Sequence, residues 1–235
     1  MRWENNWKNK GKKTPLFYNF HYNLVKLTGA LPAWLWLRPK IYYPFGKPDK
    51  KGALMVAANH STFIDPIIVQ LTFPWRYLHS IATKDLFDTR LKAWFFTRMH
   101  CIMVDKDNFS LASFHEVVSR LQAGRLVVIF PEGGLHIGGK DAMGAFKSGA
   151  VLMAHKAGAR ILPMHIVRRE KWYHRQRILV GMPLDVGQLL GAMPSMEAVT
   201  QASETLRQKQ LELVAYYESL PIYHKLHKER NETPL

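Results

Sequence analysis

Cys101 is the only cysteine among 235 residues. That excludes an intrachain disulfide framework and any multi-cysteine zinc or iron–sulfur site, and it is compatible with a reducing compartment. A lone thiol inside Cys101-Ile-Met-Val104 reads as a small buried hydrophobe. Long hydrophobic runs are missing too. No uninterrupted stretch reaches the roughly 18 apolar residues of a transmembrane helix, and no apolar segment stands directly behind the basic N-terminus as in a signal peptide. The expectation is a soluble or membrane-surface protein. Acidic residues are scarce, 18 against 33 lysines and arginines, for a formal net charge of +15. The expected partner is therefore acidic: nucleic acid, anionic lipid headgroups or an acidic carrier. Internal repeats and low-complexity tracts are absent, and with 47% apolar residues the length suits one main α/β domain.

What is present divides near residue 40. Residues 1–13 combine Arg2, Lys8, Lys10, Lys12 and Lys13 with Trp3 and Trp7. Leu16, Phe17, Phe20, Leu24 and Leu27 then recur at helical spacing, and Lys26 is the only formal charge before Arg38. Aromatic rings with basic flanks suit a lipid headgroup layer. Two readings of residues 1–40 stand: an amphipathic membrane-associating segment, or a helix packed on its own domain. Pro32 is expected to break it into two pieces too short to span a bilayer.

From about Lys51 short β-rich runs alternate with helical stripes. Expected strands are Ala53–Ala58, Tyr77–Ala82, Cys101–Val104, Leu126–Phe130, Ile161–Ile166 and Ile178–Val180. Leu111, Phe114, Val117, Val118 and Leu121 form a helical stripe ending at Gly124, and "FKSGAVLMAHKAG" reads as a helix closed by Gly158. A charged helix over Ser195–Ser219 is followed by residues that read as frayed. This alternation predicts an α/β fold, a largely parallel central sheet flanked by helices in residues 41–235. Reactive groups are then expected in loops beyond the carboxyl ends of strands.

The stretch "ANHSTFIDP", Ala58 to Pro66, places His60 and Asp65 five residues apart. In one continuous helix they would sit roughly 140° apart, so one of them must lie in non-helical backbone. Pro66 suits a first helical position and makes Asp65 a natural N-cap. A turn through His60 can then fold the imidazole onto the carboxylate, leaving Nε2 as a base. The plain alternative is that Asp65 only caps a helix, with Thr62-x-x-Asp65 as a capping box. Val127 to Gly134, "VVIFPEGG", is a second loop of interest. A buried strand ends at a proline, followed by a glutamate and two glycines that allow close backbone approach.

Together, "NHSTFID" and "FPEGG" resemble the glycerolipid acyltransferase family, the lysophosphatidic acid acyltransferases and their relatives. The likeness runs from about Leu54 to Pro183 and takes in "ATKDLF", "FKSGA", "ILPMHI" and "VGMP". It implies that His60 is a general base oriented by Asp65, and that Thr62, Lys106, Phe130, Pro131, Glu132, Gly133 and Gly134 bind substrate or shape its site. It also implies a thioester donor, acyl-CoA or acyl carrier protein, as substrate, with no further cofactor. The acceptor would be a hydroxyl of a lysolipid such as 1-acylglycerol 3-phosphate. Two departures bear on that acceptor. His100, Met103 and Lys106 stand where the family usually has glycine, phenylalanine and arginine, and Leu135 stands where it usually has a second arginine. Arginine grips phosphate bidentately and lysine as a point charge, so Lys106 with Lys140 or Lys147 is what remains for a phosphate.

Thioester chemistry suits this residue list, since a thiolate leaves readily and direct attack by a hydroxyl needs no serine or cysteine nucleophile. N–H groups near Gly133 and Gly134 are candidates for the oxyanion. A nucleic-acid-binding protein would share the charge but leaves both loops without a role and shows no recognised binding motif, so no nucleic acid is expected. A metal hydrolase would need more histidines at tight spacing. A scaffold that kept the fold without activity would show no acyl transfer at all. The expectation is a peripheral acyltransferase at the cytoplasmic face of a membrane, partnered by anionic lipids.

Overall fold

In the computed structural model, residues 19–105, 110–134, 143–169 and 171–232 are described. Among them, five parallel strands make the heart of an eight-stranded sheet. These are β2 (Leu54–Ala58), β3 (Leu78–Thr83), β4 (Ile102–Val104), β5 (Leu126–Ile129) and β6 (Arg160–Ile166), in the spatial order β6-β2-β5-β3-β4. Every residue of β2 is buried, as expected of a central parallel strand covered on both faces. The sheet continues past β6 with β7 (Arg177–Val180), which runs antiparallel to it, and β1 (Lys40–Tyr42), which pairs with β7. A two-residue β8 (Leu184–Asp185) pairs with the start of β6.

Helices cover both faces. On one lie α1 (Phe20–Leu37) and α2 (Asp65–Thr72), where Leu37, Ile68 and Val69 pack on Leu54, Val56, Leu126 and Leu162. On the other lie α4 (Leu111–Gln122), α5 (Gly149–Ala157), α6 (Val186–Leu190) and α7 (Met196–Glu218), meeting Met55, Val127 and Ile161. The outlying α3 (Arg90–Arg98) follows a short 3₁₀ turn after β3, and α8 (Pro221–Glu232) follows α7. Local chemistry sets the ends: Ser110 and Ser195 accept N–H groups of the first turns of α4 and α7, and Gly158 closes α5 at φ +62°. The helix after β2 and the helix after β5 lie on opposite faces. Their loops therefore part at adjacent strand ends and leave a crevice, the usual place for a ligand in an open α/β sheet.

Three expectations are corrected. Pro32 does not break α1, which runs 18 residues through it. Proline there frees only the carbonyl of Thr28, and both residues lie on the exposed side, where solvent can satisfy it. Of the two readings left open for this segment, each keeps a share: α1 docks on the domain through Tyr22 and Leu37, while Phe20, Leu24 and Leu27 are exposed. Asp65 is the first residue of α2 rather than its cap. The preceding Ile64 has no side-chain oxygen to cap with. Residues 221–232, read as frayed, are helical, begun by Pro221 in the first turn. Residues 1–18, with the basic and tryptophan-bearing part of the N-terminal segment, lie outside the described residues, as do Lys106, Leu135, His136 and Lys140.

Candidate active site

His60 stands in the loop between β2 and α2, flanked by the loops that leave β5 and β6. The side chain of Asn59 holds this loop in place. Its amide donates to the Ile166 carbonyl at 3.0 Å and its oxygen accepts the Ile166 N–H at 2.7 Å, so Asn59 extends the β2–β6 ladder by one imitation residue. From the opposite face, the buried Gln210 of α7 donates to the carbonyls of Ala57, at 3.3 Å, and Met164. One side chain thus ties the neighbouring strands β2 and β6 together just before the His60 loop. Neither residue was singled out in the sequence. The signal for Asn59 was its place at the strand end directly before His60, whereas Gln210 was hidden in the polar alternation of a long helix.

The backbone then turns so that His60 and Asp65 meet, Nδ1 lying 2.9 Å from Oδ2. Asp65 is 1% exposed and accepts from four donors: the N–H groups of Ser61 at 2.7 Å and Thr62 at 2.8 Å, the Thr62 hydroxyl at 2.6 Å, and His60. A carboxylate surrounded in this way has one tautomer to impose on its neighbour. Nδ1 must donate, and Nε2 keeps its lone pair. Nε2 has no partner among the described residues, and the ring is partly open at 19% exposure. Phe130 stacks on the imidazole with centroids 4.0 Å apart and planes at 16°. The ring is thus held edge-on by Asp65 and face-on by Phe130.

The β5 loop shapes the other wall. Pro131 is buried, and its carbonyl accepts the Lys147 N–H at 2.9 Å; Glu132 accepts the Gly144 N–H at 3.3 Å. Gly133, at φ +75°, donates its N–H to the Phe130 carbonyl at 3.0 Å, which closes the turn. That bond removes the Gly133 N–H from the candidates for the oxyanion. The Gly134 N–H has no partner among the described residues. A Cβ at Gly133 would sit 2.6 Å from Lys147 Cε and 2.7 Å from Nζ, so the missing side chain is what lets this ammonium lie across the loop. Thr62, expected to meet substrate, gives its hydroxyl proton to Asp65 and also lines the cavity between this loop and the loop after β6. Among the described residues no group of three or more His, Cys, Asp or Glu converges as a metal site.

A family model described as Acyltransferase matches residues 40–167, more than half the chain. The chain belongs to the acyltransferase family. Among its relatives, the 1-acyl-sn-glycerol-3-phosphate acyltransferase of Bacillus subtilis is 25% identical over 205 residues, covering 83% of this chain and 96% of that one. A probable 1-acyl-sn-glycerol-3-phosphate acyltransferase of Mycoplasma pneumoniae is 32% identical over 129 residues, covering 50% of this chain and 45% of that one. The crystal structure of the 1-acyl-sn-glycerophosphate acyltransferase PlsC of Thermotoga maritima superposes with a TM-score of 0.59 at 20% identity, over 86% of this chain and 82% of that one. The matched family region begins at β1 and ends just past β6. It therefore holds His60, Asp65 and the whole β5 loop, the same residues that the geometry brings to one crevice.

Proposed function

We propose that this acyltransferase moves a fatty acyl group from a thioester, acyl-CoA or acyl carrier protein, to the free hydroxyl of a lysophospholipid. The acceptor best supported is 1-acylglycerol 3-phosphate, as in the names of its relatives. The observation that carries the reading is the His60–Asp65 pair at 2.9 Å with Nε2 open to the crevice. His60 Nε2 takes the acceptor's hydroxyl proton as the oxygen attacks the thioester carbonyl, and Asp65 balances the imidazolium across Nδ1. The tetrahedral oxyanion is met by the Gly134 N–H. Collapse breaks the C–S bond, and the departing thiolate takes the proton back from His60. No covalent acyl-enzyme is formed. Phe130, Pro131, Glu132 and Gly133 form the wall against which the acceptor lies, with Lys106 and Lys147 as cations for its phosphate.

The test is direct: purified protein, labelled acyl-CoA or acyl carrier protein, a panel of lysolipids with and without a phosphomonoester, and product identification by mass. Transfer to 1-acylglycerol 3-phosphate that His60→Ala lowers by about 10² to 10⁴ fold supports the reading, and wild-type protein inert toward every acceptor sinks it. Leu135 in place of the family's usual arginine favours a second reading, a lysolipid without a phosphomonoester, and the same panel decides between the two. Work on a membrane lipid fits a peripheral protein held at the bilayer by its basic, aromatic N-terminal segment. No helix among the described residues is long and apolar enough to cross a membrane. Deleting residues 1–18, which carry the basic and tryptophan-bearing stretch ahead of α1, is expected to weaken binding to anionic liposomes.

A further inference from the structure

The loop between β6 and β7 leaves the sheet at the same end as His60. From Val167 to Gln176 it carries Arg168, Arg169, Lys171 and Arg175 against the single acidic residue Glu170, with Trp172 and Tyr173 between them, and Arg177 opens β7. Trp172 is 73% exposed, and Tyr173 is also exposed. Water-facing tryptophan is costly in apolar area, and cations gathered on one loop raise the local potential toward anions, so the composition suits a surface that is apolar and anionic at once.

The loop does not stand alone. It is fixed to the carboxyl end of α1. The Gln176 N–H donates to the Leu37 carbonyl at 2.7 Å, Arg175 Nε to the Arg38 carbonyl at 3.1 Å, and the Arg38 guanidinium to the Tyr173 carbonyl. The Arg169 guanidinium lies 4.4 Å from the centre of the Trp36 ring and donates to the Trp172 carbonyl at 2.9 Å. Through Arg169 the junction brings the exposed Trp36 of α1 near Trp172, and Trp34 and Leu35 of the same last turn are exposed as well. Phe63, 80% exposed, projects from the His60 loop itself. Between that loop and the β6–β7 loop opens a cavity of about 150 Å³, lined by Ser61, Thr62, Ile64 and Asp65 on one side and by Arg168, Arg169, Trp172 and Gln176 on the other.

We infer that the β6–β7 loop is a bilayer-docking element in its own right: Arg168 and Arg169 seat the phosphate of an anionic membrane phospholipid in the cavity beside Thr62. Trp172 and Tyr173 enter the interface together with Trp34 and Trp36. Charge complementarity names the occupant, because guanidinium groups bind phosphate in a fork and aromatic rings settle at headgroup level. The consequence is orientation. The bilayer surface lies across the carboxyl ends of β2 and β6, and an acceptor lipid reaches His60 sideways without leaving the membrane. The inference rests on the reading that the acceptor is a membrane lipid.

Full-length protein is to be co-sedimented with phosphatidylcholine vesicles with and without phosphatidylglycerol. At about a fivefold loss for each basic residue removed from an anionic surface, Arg168→Ala with Arg169→Ala is expected to weaken binding to the anionic vesicles about 25-fold and to spare binding to the neutral ones. Trp172→Phe is expected to remove part of the fluorescence quenching that brominated acyl chains cause in the wild type. A melting temperature equal to wild type shows that the variants are folded. Unchanged partition of the double variant overturns the inference. So does intact partition with a raised KM for the phosphorylated acceptor alone, which makes the cavity an acceptor subsite. Acyl transfer by the wild type in detergent micelles is read separately, so failure of the functional reading is not mistaken for failure of this one.

Discussion

At the scale of single residues, the site turns on a carboxylate that has no access to water. Burying Asp65 is costly in itself, and its four donors offset the cost only together. Removing the carboxylate in Asp65→Ala leaves the N–H groups of Ser61 and Thr62 facing nothing. Unfolding in urea is expected to show a loss of about 3 to 5 kcal/mol, whereas His60→Ala, which takes away one of the four donors and leaves three, should cost less, about 1 to 3 kcal/mol. Asp65→Asn keeps the volume and separates stability from chemistry. An amide cannot accept from all four donors or balance an imidazolium, so kcat is expected to fall about 10² to 10⁴ fold with KM little changed. A fall as small as twofold would show that Asp65 is a structural cap after all. Gly133 gives a second residue-level check. Gly133→Ala places a Cβ within 2.6 Å of Lys147 Cε in backbone at φ +75°, costing about 1 to 2 kcal/mol in strain and displacing the ammonium. If that displacement is what lowers turnover, adding Gly133→Ala to Lys147→Ala should lower it little further; fully additive losses would separate the two residues.

At the scale of elements, the histidines between the sheet and α1 set a limit on acid stability. His79 of β3 stacks on His100 with centroids 5.0 Å apart, and His100 stacks on Tyr22 of α1 at 4.8 Å. Burial, reinforced by Arg120, holds His79 well below its ordinary value, and for the same reasons His100 is lowered from 6.5 to about 4. In the unfolded chain both protonate near 6.5 and in the folded chain they do not. Stability is therefore fully present above about pH 6.5 and declines as pH falls toward 4, by up to about 1.4 kcal/mol per pH unit for each histidine. Urea unfolding across this range is expected to show that slope, and His79→Leu should reduce it by one proton's worth. A slope unchanged by His79→Leu would mean that His79 is already protonated in the folded protein. These histidines also mark where the sequence was legible and where it was not. Strands β2, β5 and β6 were readable within a residue or two because buried parallel strands are continuous apolar runs, and the His60 turn because Pro66 forbids a helix through it. The short β1 and β8 carry too few residues to show a period. The course of α1 was misread because proline's local penalty is cheap on an exposed helix face. The roles of Asn59 and Gln210 depend on backbone ends 107 and 153 residues distant in the chain, which no local pattern encodes.

At the scale of the whole molecule, the net charge of +15 acts before any contact is made. A field of that size accelerates encounter with an acidic macromolecule and is screened over about 10 Å at 0.1 M salt. The two candidate donors differ in how they sense it. Acyl-CoA is small, and its phosphates are satisfied at short range once bound. An acyl carrier protein is expected to approach as a large acidic surface whose attraction is gathered over distance. The kcat/KM for an acyl carrier protein should therefore fall about tenfold or more between low and physiological salt, and that for acyl-CoA by a smaller factor, with kcat changing little for either. Steady-state rates over a salt series, with the lysolipid held in neutral micelles so that membrane attraction does not enter, separate the two. A steeper slope for the carrier protein makes the basic surface a donor-steering device. Equal slopes would show that the basic surface does not steer the donor.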